Sequence, residues 1–278
     1  MRRLLVLLVC VCPALLCGGC YYQPYKTPER LDAGLVVVLP GIEGRSPLNE
    51  EIVQGLVDAG VPYAIDIQDW TSWLGPLYSL RAELRNRRKA NQIGVRISEY
   101  KYAHPDKPVF LVGQSGGGAM ALWIAESMPE GQEIDGIILL VPSISPGYLV
   151  DYALSKTKRG IVNFYSSRDW FFLGVGTTIT GTMDGRHTSS AGRLGFDIPA
   201  RPQPQEKQLY DKLFQVAWHR QMSASGYTGT HLSSSAEAFI AYYVAPLIKA
   251  DKWSDEVIAR IIAQKPSAQS APATPAGQ

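Results

Sequence analysis

Val109-Phe110-Leu111-Val112-Gly113-Gln114-Ser115-Gly116-Gly117-Gly118 is the stretch on which the fold turns. Four consecutive apolar residues suit a strand covered on both faces. The glycines after it suit a tight turn, and residues 119–128 continue as a helix. The same order recurs outward in both directions. Upstream, Leu35-Val36-Val37-Val38-Leu39 is another continuous apolar run, stopped by Pro40-Gly41. Ser46 can cap and Pro47 open a helix with Glu50 and Glu51 near its first turn and Ile52/Leu56 and Val53/Val57 paired four apart. Residues 63–67 read as a strand, and a long helical region lies within 77–102. Downstream, 137–141 and 161–165 are buried-type strands, and 213–218 is a last one. Strands spaced by helical segments predict an α/β three-layer sandwich, its sheet mostly parallel and helices on both faces. No period of 20–50 residues recurs in the sequence, which argues against a solenoid or propeller.

Composition narrows the function classes. With 278 residues, 46% hydrophobic and 19% charged, the chain can bury a sizeable core and is neither disordered nor fibrous. Lys+Arg total 27 against Asp+Glu 25, a balance that lacks the electrostatic footprint of a nucleic-acid binder. Arg81, Arg85, Arg87, Arg88 and Lys89 cluster with only Glu83 nearby, but without interleaved aromatics they read as a solvated helix face. Cys10, Cys12, Cys17 and Cys20 are the only cysteines. The rest of the chain therefore offers no thiol for a disulfide, a zinc cluster or a catalytic cysteine. No metal and no organic cofactor is expected.

The ends differ from the middle. Arg2 and Arg3 precede a thirteen-residue apolar run, 4–16, and then Gly18 and Gly19, the order of a secretory signal. That run is short of the ~20 residues a membrane-spanning helix needs. Leu16-Cys17-Gly18-Gly19-Cys20 resembles the lipobox of bacterial lipoproteins, with Cys17 where the pattern prefers leucine. The resemblance implies cleavage after residue 19, lipidation of Cys20 and an exported, membrane-anchored protein. Loss of Arg2 and Arg3 would leave 25 basic and 25 acidic residues; a neutral body is no obstacle, since an acyl anchor draws its affinity from buried methylenes. Residues 20–33, with Pro24 and Pro28, read as a tether to a domain over 34–263. Residues 264–278, rich in Pro, Ala, Ser and Gln, cannot recover their ordering entropy by burial and read as a disordered tail.

Ser115 carries the chemistry. A serine hydroxyl is a weak nucleophile and must project from a tight turn toward a base, which is what G-x-S-x-G between strand and helix supplies. The start of the following helix aims backbone N–H groups at a developing oxyanion. A glycine-rich phosphate cradle is the rival, but neither the Lys-Ser/Thr of a P-loop nor G-x-G-x-x-G spacing is present.

On this motif in this setting, residues 35–249 resemble the α/β-hydrolase fold family. The resemblance implies oxyanion donors at Gly116 and, in Leu39-Pro40-Gly41-Ile42-Glu43-Gly44, at Ile42, although Pro40 stands where many relatives carry histidine. It places the acid in the turn after the strand 161–165, at Asp169, with Asp184 and Asp197 in reserve. It places the base between the last strand and last helix, at His231. His187 and His219 remain alternatives, while His104 lies at the far end of the serine strand. Ser234-Ser235-Ala236-Glu237 reads as a capping box opening that last helix. Residues 170–210, with six glycines between 174 and 195, are expected to form a lid or pocket wall, and Trp170-Phe171-Phe172-Leu173 either an acyl site or a core cluster. The expected function is hydrolysis of an ester, thioester or related acyl bond on a small-molecule or lipid substrate. A peptidase or acyltransferase using the same triad, or a non-catalytic envelope binding protein of this fold, are the alternatives, and oligomeric state is not legible.

Overall fold

Alternate residues of the strands feed two separate cores. The computed structural model describes residues 24–169, 181–200 and 203–264. In β1 (Leu35–Leu39) every residue is buried, with Leu35, Val37 and Leu39 facing one apolar cluster and Val36 and Val38 the other. With β2 (Ala64–Ile67), β3 (Val109–Gln114), β4 (Gly136–Leu140), β5 (Ile161–Tyr165) and β6 (Leu213–Ala217), it forms a six-stranded sheet in the order β2-β1-β3-β4-β5-β6. Every pairing is parallel. Helices cover both faces: α4 (Glu83–Ala103), through Ala90, Ile93 and Ile97, and α5 (Gly116–Glu126) pack into the first cluster. α2 (Pro47–Asp58) and the helical segments 237–249 and 255–262 supply the second. The expected three-layer α/β sandwich is the observed one. Among the described residues no helix is long and apolar enough to cross a membrane.

Parallel strands need crossovers, and the direction of the crossovers decides where a site can sit. From β1 the chain steps to one side for β2 and then returns past β1 to β3. The sequence order therefore reverses at the carboxyl ends of β1 and β3, which in open α/β sheets is where ligands bind. The Pro40-Gly41-Ile42 turn and Ser115 leave the sheet at those two ends.

Several expectations changed on folding. The helical region within 77–102 is two helices, α3 (Pro76–Arg81) and α4, broken at Ala82. Arg85 and Asn86 at the start of α4 reach back to carbonyls of Trp70, Thr71 and Ser79, which turns the chain there. The box at Ser234 does not form. Its hydroxyl donates to the His231 carbonyl at 2.8 Å, the segment Leu232–Ser235 is a 3-10 turn, and Ala236 takes the N-cap. Ser46, by contrast, caps α2, its N–H donating to Asn49 Oδ1 at 2.9 Å.

The described part of the expected tether, from Pro24, lies against the body. Pro28–Ala33 is helix α1; Arg30 donates to the carbonyls of Tyr63 (2.9 Å) and Val61 (2.7 Å). Ile65 donates its N–H to the Tyr25 carbonyl at 3.0 Å, and Lys26 pairs with Asp66 at 2.5 Å. The leader 1–19, Cys20, Trp170–Leu173 and residues 265–278 lie outside the described residues.

Candidate active site

Ser115 is held by crowding. It has φ 54° and ψ −121°, a left-handed conformation that a side chain adopts only when its surroundings impose it. The imposing contacts are backbone at Gly113 and Gly117 and the Pro142 ring at Gly118. A Cβ at Gly113 would sit 2.4 Å from the Gly117 carbonyl oxygen, and one at Gly117 would sit 2.1 Å from that of Leu39. A Cβ at Gly118 would lie 2.5 Å from Pro142 Cβ. All three glycines are required for β3 and α5 to meet at so sharp an angle beside β1. The Ser115 N–H donates to the Leu140 carbonyl at 3.0 Å, while the Ser115 carbonyl accepts from Gly118 and Ser143 at 3.0 and 2.9 Å.

His231 and Asp169 come from the ends of two further strands. Asp169 closes a turn after β5 in which its N–H donates to the Ser166 carbonyl at 3.1 Å. His231 lies beyond β6, immediately before the 3-10 turn Leu232–Ser235. The two loops are fastened to one another. Ser166 Oγ donates to the Gly229 carbonyl at 2.7 Å and the Arg168 guanidinium stacks over Trp218 at 4.8 Å, while Trp218 Nε1 donates within its own loop to the Tyr227 carbonyl at 2.8 Å.

The fastening brings the three side chains into line. His231 Nε2 is 2.9 Å from Ser115 Oγ and His231 Nδ1 is 2.7 Å from Asp169 Oδ2. All three residues are buried, so the imidazole meets the carboxylate with little competition from water. Tyr227 is wholly enclosed beside them; burial first, and then the charge of Asp169, push its ionisation well above the ordinary phenol range, so it is a neutral hydroxyl next to the acid.

The alternatives fall elsewhere. Asp184 accepts from the N–H and hydroxyl of Ser145 and from Thr182, which fastens the 181–186 turn to the chain beyond β4. The Asp197 N–H donates to the Pro146 carbonyl. His219 stands at the start of the 3-10 helix Arg220–Ser225, its pKa lowered by burial, and His187 lies beside Gly181. His104 pairs with Asp32 at 3.2 Å and stacks on Tyr100.

Ile42 and Gly116 are neighbours. A Cβ at Gly116 would meet Ile42 Cγ2 at 2.8 Å, Trp70 Cζ2 at 3.2 Å and Met183 Sδ at 3.4 Å. Gly116 opens α5, where the N–H groups have no acceptor inside the helix. Trp70 is fixed by its Nε1–H, which donates to the Pro40 carbonyl at 2.7 Å. Trp70 and Met183 were not anticipated as neighbours of the site. Met183 belongs to the expected lid region 170–210, whose described parts also include the short helices Ala191–Leu194 and Pro204–Tyr210. Among the described residues no cluster of His, Cys, Asp and Glu has the arrangement of a metal site.

Nucleophile, imidazole and carboxylate in one hydrogen-bonded row define a serine-hydrolase active site. It stands on an α/β-hydrolase fold, and solved structures share that fold. Aspergillus fumigatus lipase B is similar with a TM-score of 0.52 and 10% identity, covering 86% of this chain and 58% of that one. This chain therefore spans a little over half the length of that lipase, and the likeness shows the fold alone. Pyrococcus horikoshii acylaminoacyl peptidase (TM-score 0.49, 12% identity, 86% of this chain, 40% of that one) and Est1E from Butyrivibrio proteoclasticus (TM-score 0.44, 12% identity, 85% and 90%) are more distant. No protein-family model and no curated protein matches the chain.

Proposed function

We propose that the protein is an exported, lipid-anchored serine hydrolase cleaving an ester, thioester or related acyl bond of a small-molecule or lipid substrate. The observation that carries the chemistry is the continuous row Asp169–His231–Ser115, with separations of 2.7 and 2.9 Å. Ser115 Oγ attacks the acyl carbon while His231 Nε2 takes its proton. Asp169 accepts the Nδ1–H, holding the ring in the required tautomer and stabilising the imidazolium. The Gly116 and Ile42 amides hold the oxyanion. His231 then protonates the leaving group, an acyl-enzyme forms on Ser115, and a water deprotonated by His231 releases the acid and regenerates the serine. Export and anchoring at Cys20 rest on the leader Arg2 to Gly19 and the lipobox resemblance.

A fluorophosphonate probe and a panel of short and long p-nitrophenyl esters test the chemistry. Labelling at Ser115 and turnover, both lost in Ser115→Ala, are expected; full turnover by His231→Ala rules out the assigned base. Mass spectrometry of the envelope protein tests the anchor, the expected N-terminal residue being an acylated Cys20.

A further inference from the structure

The chain that follows β2 turns apolar side chains outward. Trp73 is 92% exposed, Leu84 is 76% exposed, and Leu74, Leu77 and Tyr78 are also exposed, all within the loop after Trp70, α3 and the first turn of α4. This segment is not loosely held. Arg85 donates to the Trp70 and Thr71 carbonyls, Asn86 Nδ2 to the Ser79 carbonyl at 2.6 Å, and the Ser72 N–H to Ser79 Oγ at 3.0 Å. The basic cluster expected to be a solvated face divides accordingly. Arg85 donates to those carbonyls and Arg87 pairs with Glu83 and Glu126; in the same segment Arg81 and Arg88 are exposed and Lys89 is half-buried. Burial lowers the Lys89 pKa, with Arg96 and Arg85 adding to it and Asp69 opposing it.

We infer that this face, Trp73, Leu74, Leu77, Tyr78 and Leu84 with Arg81, Arg88 and Lys89, docks on an anionic lipid surface. Aromatic and leucine side chains beside arginine and lysine are the combination that seats a surface segment among head groups, apolar atoms inward and cations against phosphate. Self-association through the same apolar residues is the rival occupant, and the vesicle experiment separates the two. Ser115 leaves the same carboxyl end of the parallel strands as the segment after β2, and Trp70, next to the docking segment, walls Gly116. Docking thus presents the end carrying the nucleophile toward the lipid. The inference is independent of the anchor and of the reaction.

The body has no native thiol, so a cysteine placed there reports one spot once Cys10, Cys12, Cys17 and Cys20 are replaced by serine. Full-length Leu77→Cys carrying a polarity-sensitive fluorophore is mixed with phosphatidylglycerol–phosphatidylcholine vesicles and with pure phosphatidylcholine vesicles, the cysteine-free chain treated identically being the blank. Tyr102→Cys, at an exposed position near the far end of α4, is the control. A blue shift at 77 on anionic vesicles, none at 102, and its loss in the Arg81→Glu/Arg88→Glu/Lys89→Glu background are expected, with turnover of a soluble ester unchanged by those charges. A silent label, an equal shift on neutral vesicles, or a concentration-dependent shift without lipid, which would signal self-association, each overturns the inference.

Discussion

The two halves of the active site are held by different forces. On the nucleophile side, Gly113 and Gly117 are locked by close backbone approaches that a single methyl group would violate, and Gly118 by the Pro142 ring. On the side of the acid and base, Asp169 and His231 are placed by a side-chain hydrogen bond and ring stacking between two loops, one of them braced by its own Trp218–Tyr227 bond. The steric half has no intermediate state: it is formed or the strands are displaced. The bonded half can lose one tie and keep an approximate shape. A serine in strained geometry therefore needs an unyielding frame, while an imidazole that must shift as it takes and returns a proton sits in a more forgiving one.

Substitutions can break or sharpen this contrast. The largest effect belongs to Asp169→Asn, which leaves the loops in place but favours the wrong tautomer; kcat should fall about ten-thousandfold with melting temperature unchanged. A small loss of kcat would mean that the carboxylate does not orient His231. Next is Gly117→Ala, whose methyl would meet the Leu39 and Pro40 carbonyls at 2.1 and 2.5 Å. Urea unfolding should show a loss of roughly 4 kcal/mol or more; a loss under about 1 kcal/mol would deny the steric lock. Ser166→Ala removes one tie and should cost only about 1 kcal/mol, with a partial fall in kcat and fluorophosphonate labelling retained. If instead it abolished labelling, the bonded half would be as brittle as the steric one. Smallest is Ser115→Gly, which relieves the positive φ and should raise stability by about 1 kcal/mol, read as a higher urea midpoint.

The same contrast explains what could be read from the chain. The strands were legible because burial on both faces produces unbroken apolar runs, and β3 differs from its expected span only by continuing through Gly113 to Gln114. The nucleophile was legible because a steric requirement leaves glycines at fixed offsets. Asp169 and His231 were placed by resemblance, since the hydrogen bonds that seat them link residues 62 and 116 positions apart and impose no periodicity. The tie between Ser166 and Gly229, and the approach of Trp70 and Met183 to Gly116, left no local signal for the same reason. Where a local signal was over-read, at Ser234 and through Ala82, a more distant or competing hydrogen bond had the stronger claim.

The docking of residues 24–33 onto β2 has a consequence for how the sheet meets other molecules. β2 stands at the margin of the sheet, and a marginal strand offers bare N–H and C=O groups to any neighbouring molecule. Here the Tyr25 carbonyl takes the Ile65 N–H, Arg30 takes the Val61 and Tyr63 carbonyls, and Lys26 guards Asp66. Removing residues 24–33 would strip that cover and leave the β2 edge open to strand pairing with another molecule.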